Sequence, residues 1–200
     1  MKTVCKLHVP GIRNQKMDAL LVIVLVVLMA MGSTATMIQP PDSGQHICGT
    51  IEIIGNASLL EQYQLCTVIE GHLRIQLIDD YNPTWPLLGL PNLTQVTGYV
   101  LLYRLSYLRT FRHLLPRLAV IRGDNLFHGH SLVVFGNIFL REVGLTNMTN
   151  ILKGSVRIEK NWSLCPGPEA TWSRLTSPSY VNVIQVIPTL SSRTSYRERE

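Results

Sequence analysis

A repeated phrase constrains this chain more than any other feature. "CTVIEGHLRIQL" (66–77), "LTQVTGYVLLYRL" (93–105), "LAVIRGDNLF" (118–127) and "NILKGSVRIEK" (150–160) follow one plan. An apolar pair or triplet leads into a glycine, and a short apolar strand begins two residues later, three in the third copy. The aligned glycines Gly71, Gly98, Gly123 and Gly154 stand about 25–31 residues apart. Such a period marks a solenoid, whose coils bury little alone and stack to share one core. Glycine suits the tight corner each coil needs, because it adopts backbone angles that other residues resist. The strands, "SLVVFGNIFL" (131–140) among them, are rich in Val, Ile and Leu, as sheet positions require.

This pattern predicts a mainly β fold with short helices. Ile75, Leu101, Val120 and Ile158 are expected in the core. Pro91 and Pro116 each precede a leucine by two residues, where a coil turns. "SLLEQYQLC" (58–66) has helical spacing at Leu59, Leu60 and Tyr63, with Ser58 as its cap, and is expected to close one end of the stack.

The formal charge of +5 invites a nucleic-acid reading, which fails on position. Lys2, Lys6, Arg13 and Lys16 precede the apolar run Ala19–Met31 and the small residues of "GSTA". Basic stretch, short apolar run and small-residue site make the layout of a secretory signal, with cleavage expected after Ala35. The run is short for a bilayer span, which needs about 20 apolar residues. A start at Met17 and retention as an uncleaved anchor are the competing readings. Loss of residues 1–35 leaves a charge of about +2 and no basic patch for DNA or RNA. The expected organisation is a signal peptide over 1–35, a linker over 36–47, the repeat domain over 48–174 and a divergent, disordered tail over 175–200. After Cys165 the chain turns rich in Pro, Ser and Thr, and nothing there continues the repeat.

Secretion makes the cysteines meaningful. Cys5 departs with the leader, and Cys48 and Cys66 flank a segment that closes as a loop, so they are the expected disulfide. Cys165 is then the odd, unpaired cysteine, implying an intermolecular bridge or a partner beyond the sequence given. Asn56, Asn92, Asn147 and Asn161 each begin an Asn-X-Ser/Thr acceptor for glycans, Asn161 with a bulky Trp162 in the middle. Catalytic signatures are missing: there is no Gly-rich phosphate loop, nucleophile elbow or zinc motif. His128-Gly129-His130 is the one close histidine pair, and two ligands without a third make a surface turn the better reading than a metal site. The reading is therefore of a binding chain with no catalytic residues, no cofactor and no metal.

At these repeats the wording resembles a known family. "LCTVIEGHLRI", "LPRLAVIRGDNLF" and "LKGSVRIEKNWSLC", with "TWSR" at 171–174, are similar to the first L domain of the insulin receptor and insulin-like growth factor receptor family. The resemblance runs from about Cys48 to Arg174. It implies a right-handed parallel β-helix with leucine-rich-repeat character, on the extracellular side of a membrane or secreted. It further implies that one flat sheet binds an insulin-like peptide hormone, assisted by a helix from a partner subunit. Carried over by matching motif, the binding residues are Leu77, Tyr103, Phe127, Val133, Phe135, Glu159 and Lys160. Core packing is the competing reading for Tyr103, Phe127 and Phe135, and a solvated edge for Glu159 and Lys160. The resemblance also implies that the partner of Cys165 lies further along in such a receptor, where Cys165 would reach other receptor segments or subunits. Departures gather on the same face, at Glu52-Ile53-Ile54-Gly55, Gln76, Asp79, His128-Gly129 and Gly136. The implied function is a hormone-binding L domain, possible as a truncated or decoy form. The rivals are an adhesive solenoid without a hormone and a fragment of a full receptor tyrosine kinase.

Overall fold

The computed structural model describes residues 44–79, 88–165 and 170–185. The expected leader and the far end of the tail lie outside them. From residue 45 onward the described chain forms a β-solenoid of two parallel sheets. One sheet holds the two-residue strands β1 (Ile47–Cys48), β3 (Val68–Ile69), β5 (Gln95–Val96), β7 (Val120–Ile121) and β9 (Asn150–Ile151), in that order. The other holds β2 (Ile51–Ile54), β4 (Leu73–Ile78), β6 (Val100–Leu105), β8 (His130–Phe135), β10 (Ser155–Glu159) and β11 (Val183–Ile184), each beside the next.

Strand alternation explains the core. Leu73, Ile75, Val100, Leu102, Leu132, Val134, Val156 and Ile158 point inward from the long strands and are essentially sealed from solvent. Leu93, Val96, Leu118, Ile121 and Ile151 meet them within the same core cluster. Each such side chain contributes roughly 1.5–3 kcal/mol of burial. Leu101 is buried as expected, though in a second cluster, whereas Val120 is not part of the core, contrary to expectation. Leu101 is buried on the opposite face of its strand, and Val120 is half-buried, because both occupy the outward phase of the alternation.

The expected glycine corners stack directly. The Gly98 amide donates to the Gly71 carbonyl at 2.6 Å, and the Gly123 amide to the Gly98 carbonyl at 3.2 Å. A β-carbon at Gly98 would stand 2.6 Å from the Gly71 oxygen, so the coils approach too closely there for any side chain. The repeated glycine is therefore a packing requirement between coils as well as a turn within each.

A second ladder lies at the far end of the long sheet. Ile54, Gln76, Tyr103, Phe135 and Glu159 are aligned across β2, β4, β6, β8 and β10. The residues that follow them, Gly55, Leu77, Arg104, Gly136 and Lys160, all have positive φ, between 50° and 75°. This left-handed rung interrupts the alternation. It leaves the side chains of Leu77, Arg104 and Lys160 exposed directly after outward-facing neighbours.

Beneath the next positions runs a buried asparagine pair. The Leu105 amide donates to Asn137 Oδ1 at 2.9 Å, the Asn137 amide donates to Asn161 Oδ1 at 2.9 Å, and Asn161 Nδ2 donates to the Val134 carbonyl at 3.0 Å. Asn161 is 1% exposed, with both ends of its amide engaged. A glycan does not fit there, so Asn161 is a structural residue and not the expected acceptor.

Other expectations change at the ends. The segment after β2 is a 3-10 helix, Ala57–Tyr63, capped by Asn56 rather than Ser58: Asn56 Oδ1 accepts from the Ser58 amide at 2.9 Å. The Cys48–Cys66 disulfide is present, with Cα atoms 5.8 Å apart. Cys165 is not the unpaired thiol expected. It is disulfide-bonded, and no described cysteine is free. Residues 176–185 also depart from the disordered tail expected over 175–200. After helix α1 (Ala170–Leu175), β11 pairs in parallel with β10, Asn182 Oδ1 accepts from the Val156 amide, and the Gln185 amide donates to the Ile158 carbonyl. The short polar loop hid a further strand because two apolar residues, Val183 and Ile184, are too few to read as one.

Candidate functional site

Parallel sheets ordinarily have both faces covered. Here the inward face of the long sheet packs on the core, while the outward face carries its own apolar cluster, separate from the core. Tyr99, Leu101 and Val133 are buried in it, and Tyr103, Phe127 and Phe135 pack half-exposed against them. Between these residues lies an open groove of about 350 Å³. Leu101 and Val133 make its floor, and Tyr103, Phe127 and Phe135 its walls. Arg74, Gln76 and Arg157 complete the rim.

Two aromatic rows run across the strands. The first begins at His72, stacked on Tyr99 with centroids 4.6 Å apart and planes at 4°. Tyr99 tilts against Phe127 at 5.5 Å, and Phe127 meets His128 edge-on at 4.7 Å. The second joins Tyr103 to Phe135 at 5.8 Å, with Lys160 Nζ 5.1 Å and the Arg157 guanidinium 5.8 Å from the Phe135 centroid. Such cation–ring contacts hold the charged side chains against the face.

Phe127 owes its place to a two-residue hairpin. Phe127 and His130 exchange backbone hydrogen bonds at 2.9 Å around His128 and Gly129, both with positive φ. This is the primed turn that favours glycine, and it agrees with a surface turn at the histidine pair. His130 Nδ1 lies 2.7 Å from Ser155 Oγ. Burial, followed by the Arg157 charge, holds its imidazole below the usual range.

The rim charges are paired unequally. Glu159 Oε2 accepts from both Arg157 Nε, at 2.9 Å, and Arg157 Nη2, at 2.7 Å. Glu52 Oε1 lies 2.9 Å from His72 Nε2 and accepts from Arg74 Nη1 at 2.9 Å. The hydrogen bond with His72, then that from Arg74, lowers the Glu52 pKa. Arg74 Nε, by contrast, is buried without an acceptor.

Six of the seven residues carried over from the resemblance gather here. Tyr103, Phe127, Val133 and Phe135 form the cluster, Lys160 overhangs Phe135, and Glu159 holds Arg157. Leu77, 41% exposed on its left-handed rung, stands apart from the cluster. Tyr99, Leu101, His72, Arg74 and Arg157 were missed, and Gln76 was read only as a departure on this face. Period-two counting from the buried pair Leu73 and Ile75 places Arg74 and Gln76 outward, so the signal was present in the strand itself. Among the described residues no group of three or more metal-binding side chains comes together, and no helix is long and apolar enough to cross a membrane.

The receptor L domain family model matches residues 65–176. An insulin-like peptide receptor of Branchiostoma lanceolatum is 40% identical over 172 residues, covering 84% of this chain and 12% of the relative. The insulin receptor of Xenopus laevis is 41% identical, covering 72% of this chain and 11% of the relative. For the insulin-like growth factor 1 receptor of the same frog the figures are 43%, 69% and 10%. The chain thus spans about a tenth of the length of the curated relatives it matches. With its β-solenoid and the match across more than half its length, the chain belongs to the receptor L domain family.

Proposed function

We propose that this chain is an extracellular ligand-binding L domain whose long sheet binds an insulin-like peptide on its outward face. One observation carries the reading: Tyr99, Leu101, Val133, Tyr103, Phe127 and Phe135 form an apolar cluster outside the core, on a rigid sheet. Monomeric proteins rarely expose such a surface without a partner for it, and aromatic side chains in a groove are typical binding anchors. The relatives support the ligand class, since they are named as receptors for insulin, insulin-like peptides and insulin-like growth factor. The function is recognition without chemistry in this chain; kinase activity would belong to a longer receptor. Glycans at Asn56, Asn92 and Asn147 fit this setting. Asn92 and Asn147 each stand three residues ahead of a strand of the short sheet, β5 and β9.

Titration of the purified secreted chain with insulin-like peptides tests the reading. Tyr103→Ala and Phe127→Ala are each expected to weaken binding by about 1–2 kcal/mol or more, with the circular dichroism and melting point of the chain preserved. Unchanged affinity in both variants rejects the site, and absence of binding by the native chain favours an adhesive solenoid.

A further inference from the structure

A second exposed surface lies past the ends of β6, β8 and β10, where the coils turn away from the long sheet. The coils turn in step there: the Arg141 amide donates to the Arg109 carbonyl at 2.8 Å, and the Cys165 amide to the Arg141 carbonyl at 2.9 Å. Exposure alternates along Tyr107-Leu108-Arg109 and Phe139-Leu140-Arg141. Leu108 and Leu140 are buried in the core, so the aromatic rings and the arginines share the outer side. Tyr107 and Phe139 stack across the coils, with centroids 5.3 Å apart and planes at 13°. They are 43% and 44% exposed, and Trp162, next to the buried Asn161, is 64% exposed.

Charge of one sign frames this aromatic ridge. Arg104, Arg109, Arg117, Arg141, Lys160 and Arg174 are exposed and form no ion pair with a described residue. Four of them border the ridge: Arg104 and Lys160 on the left-handed rung at its sheet side, Arg109 and Arg141 at its far side. The nearby carboxylates are already engaged. Glu142 Oε1 accepts from Thr110 Oγ1 at 2.9 Å and from Arg112 Nη2 at 3.3 Å, and Asp79 accepts from the Ser106 hydroxyl. Cations gathered on one surface attract a polyanion. Exposed rings between them favour a polyanion that also has apolar faces. A sulfated polysaccharide has both: sulfates that take a guanidinium fork, and sugar rings whose C–H faces pack on aromatic side chains.

We propose that this corner binds a sulfated polysaccharide, with Arg109 and Arg141 holding sulfates and Tyr107, Phe139 and Trp162 packing the sugar rings. The site is separate from the groove and shares only the extracellular setting with the peptide-binding reading.

The test titrates the full chain with four labelled probes, followed by fluorescence anisotropy: a heparin hexasaccharide, its desulfated and N-acetylated counterpart, a hexaglutamate peptide and a single-stranded DNA oligonucleotide. The heparin hexasaccharide is expected to bind most tightly, and more weakly as salt rises. The double variant Arg109→Gln/Arg141→Gln should lose about tenfold in affinity. Arg117→Gln/Arg174→Gln removes the same charge elsewhere and should leave affinity unchanged. Phe139→Ser should weaken binding at constant charge, and Arg141→Lys should fall between wild type and Arg141→Gln, because an ammonium lacks the fork. Equal losses in the two double variants, or none in either, overturn the proposal, as does absence of binding. Equal or tighter binding of hexaglutamate overturns the choice of a glycan, and tighter binding of DNA assigns the corner to nucleic acid instead. Tyr103→Ala and Phe127→Ala should leave the hexasaccharide bound, so a chain that binds no insulin-like peptide can still uphold this site.

Discussion

Asn161 accepts from both nitrogens of Asn137 and donates to the Val134 carbonyl, deep beneath the end of the long sheet. Removing it strands a backbone amide and a carbonyl in the interior, each worth about 1–3 kcal/mol when unsatisfied. Asn161→Ala is therefore expected to destabilise the chain by about 2–4 kcal/mol, read from the urea midpoint, while leaving its carbohydrate mass unchanged. A drop in mass equal to one glycan would show the site to be modified and the buried arrangement wrong. The same side chain illustrates how far single residues could be read in advance. An Asn-X-Ser triplet looks alike whether its amide faces solvent or the interior, and the left-handed rung before it, at Lys160, is what turns Asn161 inward. Nothing in a residue's identity records that rotation, so the error was local and specific.

The rungs themselves can be tested at the level of the strand. Gly136 has a φ of +68°, and a β-carbon there would meet only Arg104 and Tyr103 side-chain atoms at 3.4 Å or more. Gly136→Ala should cost about 1 kcal/mol, the backbone penalty alone. Gly123, at +70°, would drive a β-carbon into the Lys153 carbonyl oxygen and Ser131 Oγ, so Gly123→Ala should cost several times more. Equal melting points for the two variants would contradict the stacked-corner account. The glycine spacing made the coils legible, since a close approach between coils admits no other residue. The long strands were legible too, because their apolar residues alternate. The outward face was only half legible. In "VLLYRL" every position but Arg104 is apolar or aromatic, so composition could not say that Leu101 faces out; only the phase set by buried Val100 and Leu102 does. The rim arginines escaped because an isolated charge on a strand looks like ordinary solvated surface until the groove beside it is known.

For the molecule as a whole, acidity separates two sets of groups. Glu52 and Asp124 have lowered pKa values, chiefly through hydrogen bonds with His72 and Lys153 respectively. Their stabilisation is complete above the usual carboxylate value and is lost only as pH falls through the lower folded value. His130 acts earlier. Its folded pKa lies below the usual 6.5, mainly because burial disfavours the cation, with Arg157 and His128 reinforcing and Glu159 opposing. The neutral ring's contribution is whole above 6.5 and declines as pH falls through the depressed value. Melting temperature should therefore fall between pH 7 and pH 5, and His130→Asn should flatten that slope. An identical slope in the variant would remove His130 from the account.

Inward and outward residues alternate along each long strand, so every coil spells interior and exterior in separate letters. Exchanging Arg74, Gln76 or Tyr103 changes the outward surface while Leu73, Ile75 and Leu102 go on holding the stack. The chemistry of the outer face in such a scaffold is free to drift one coil at a time, without the fold having to be reinvented at each step.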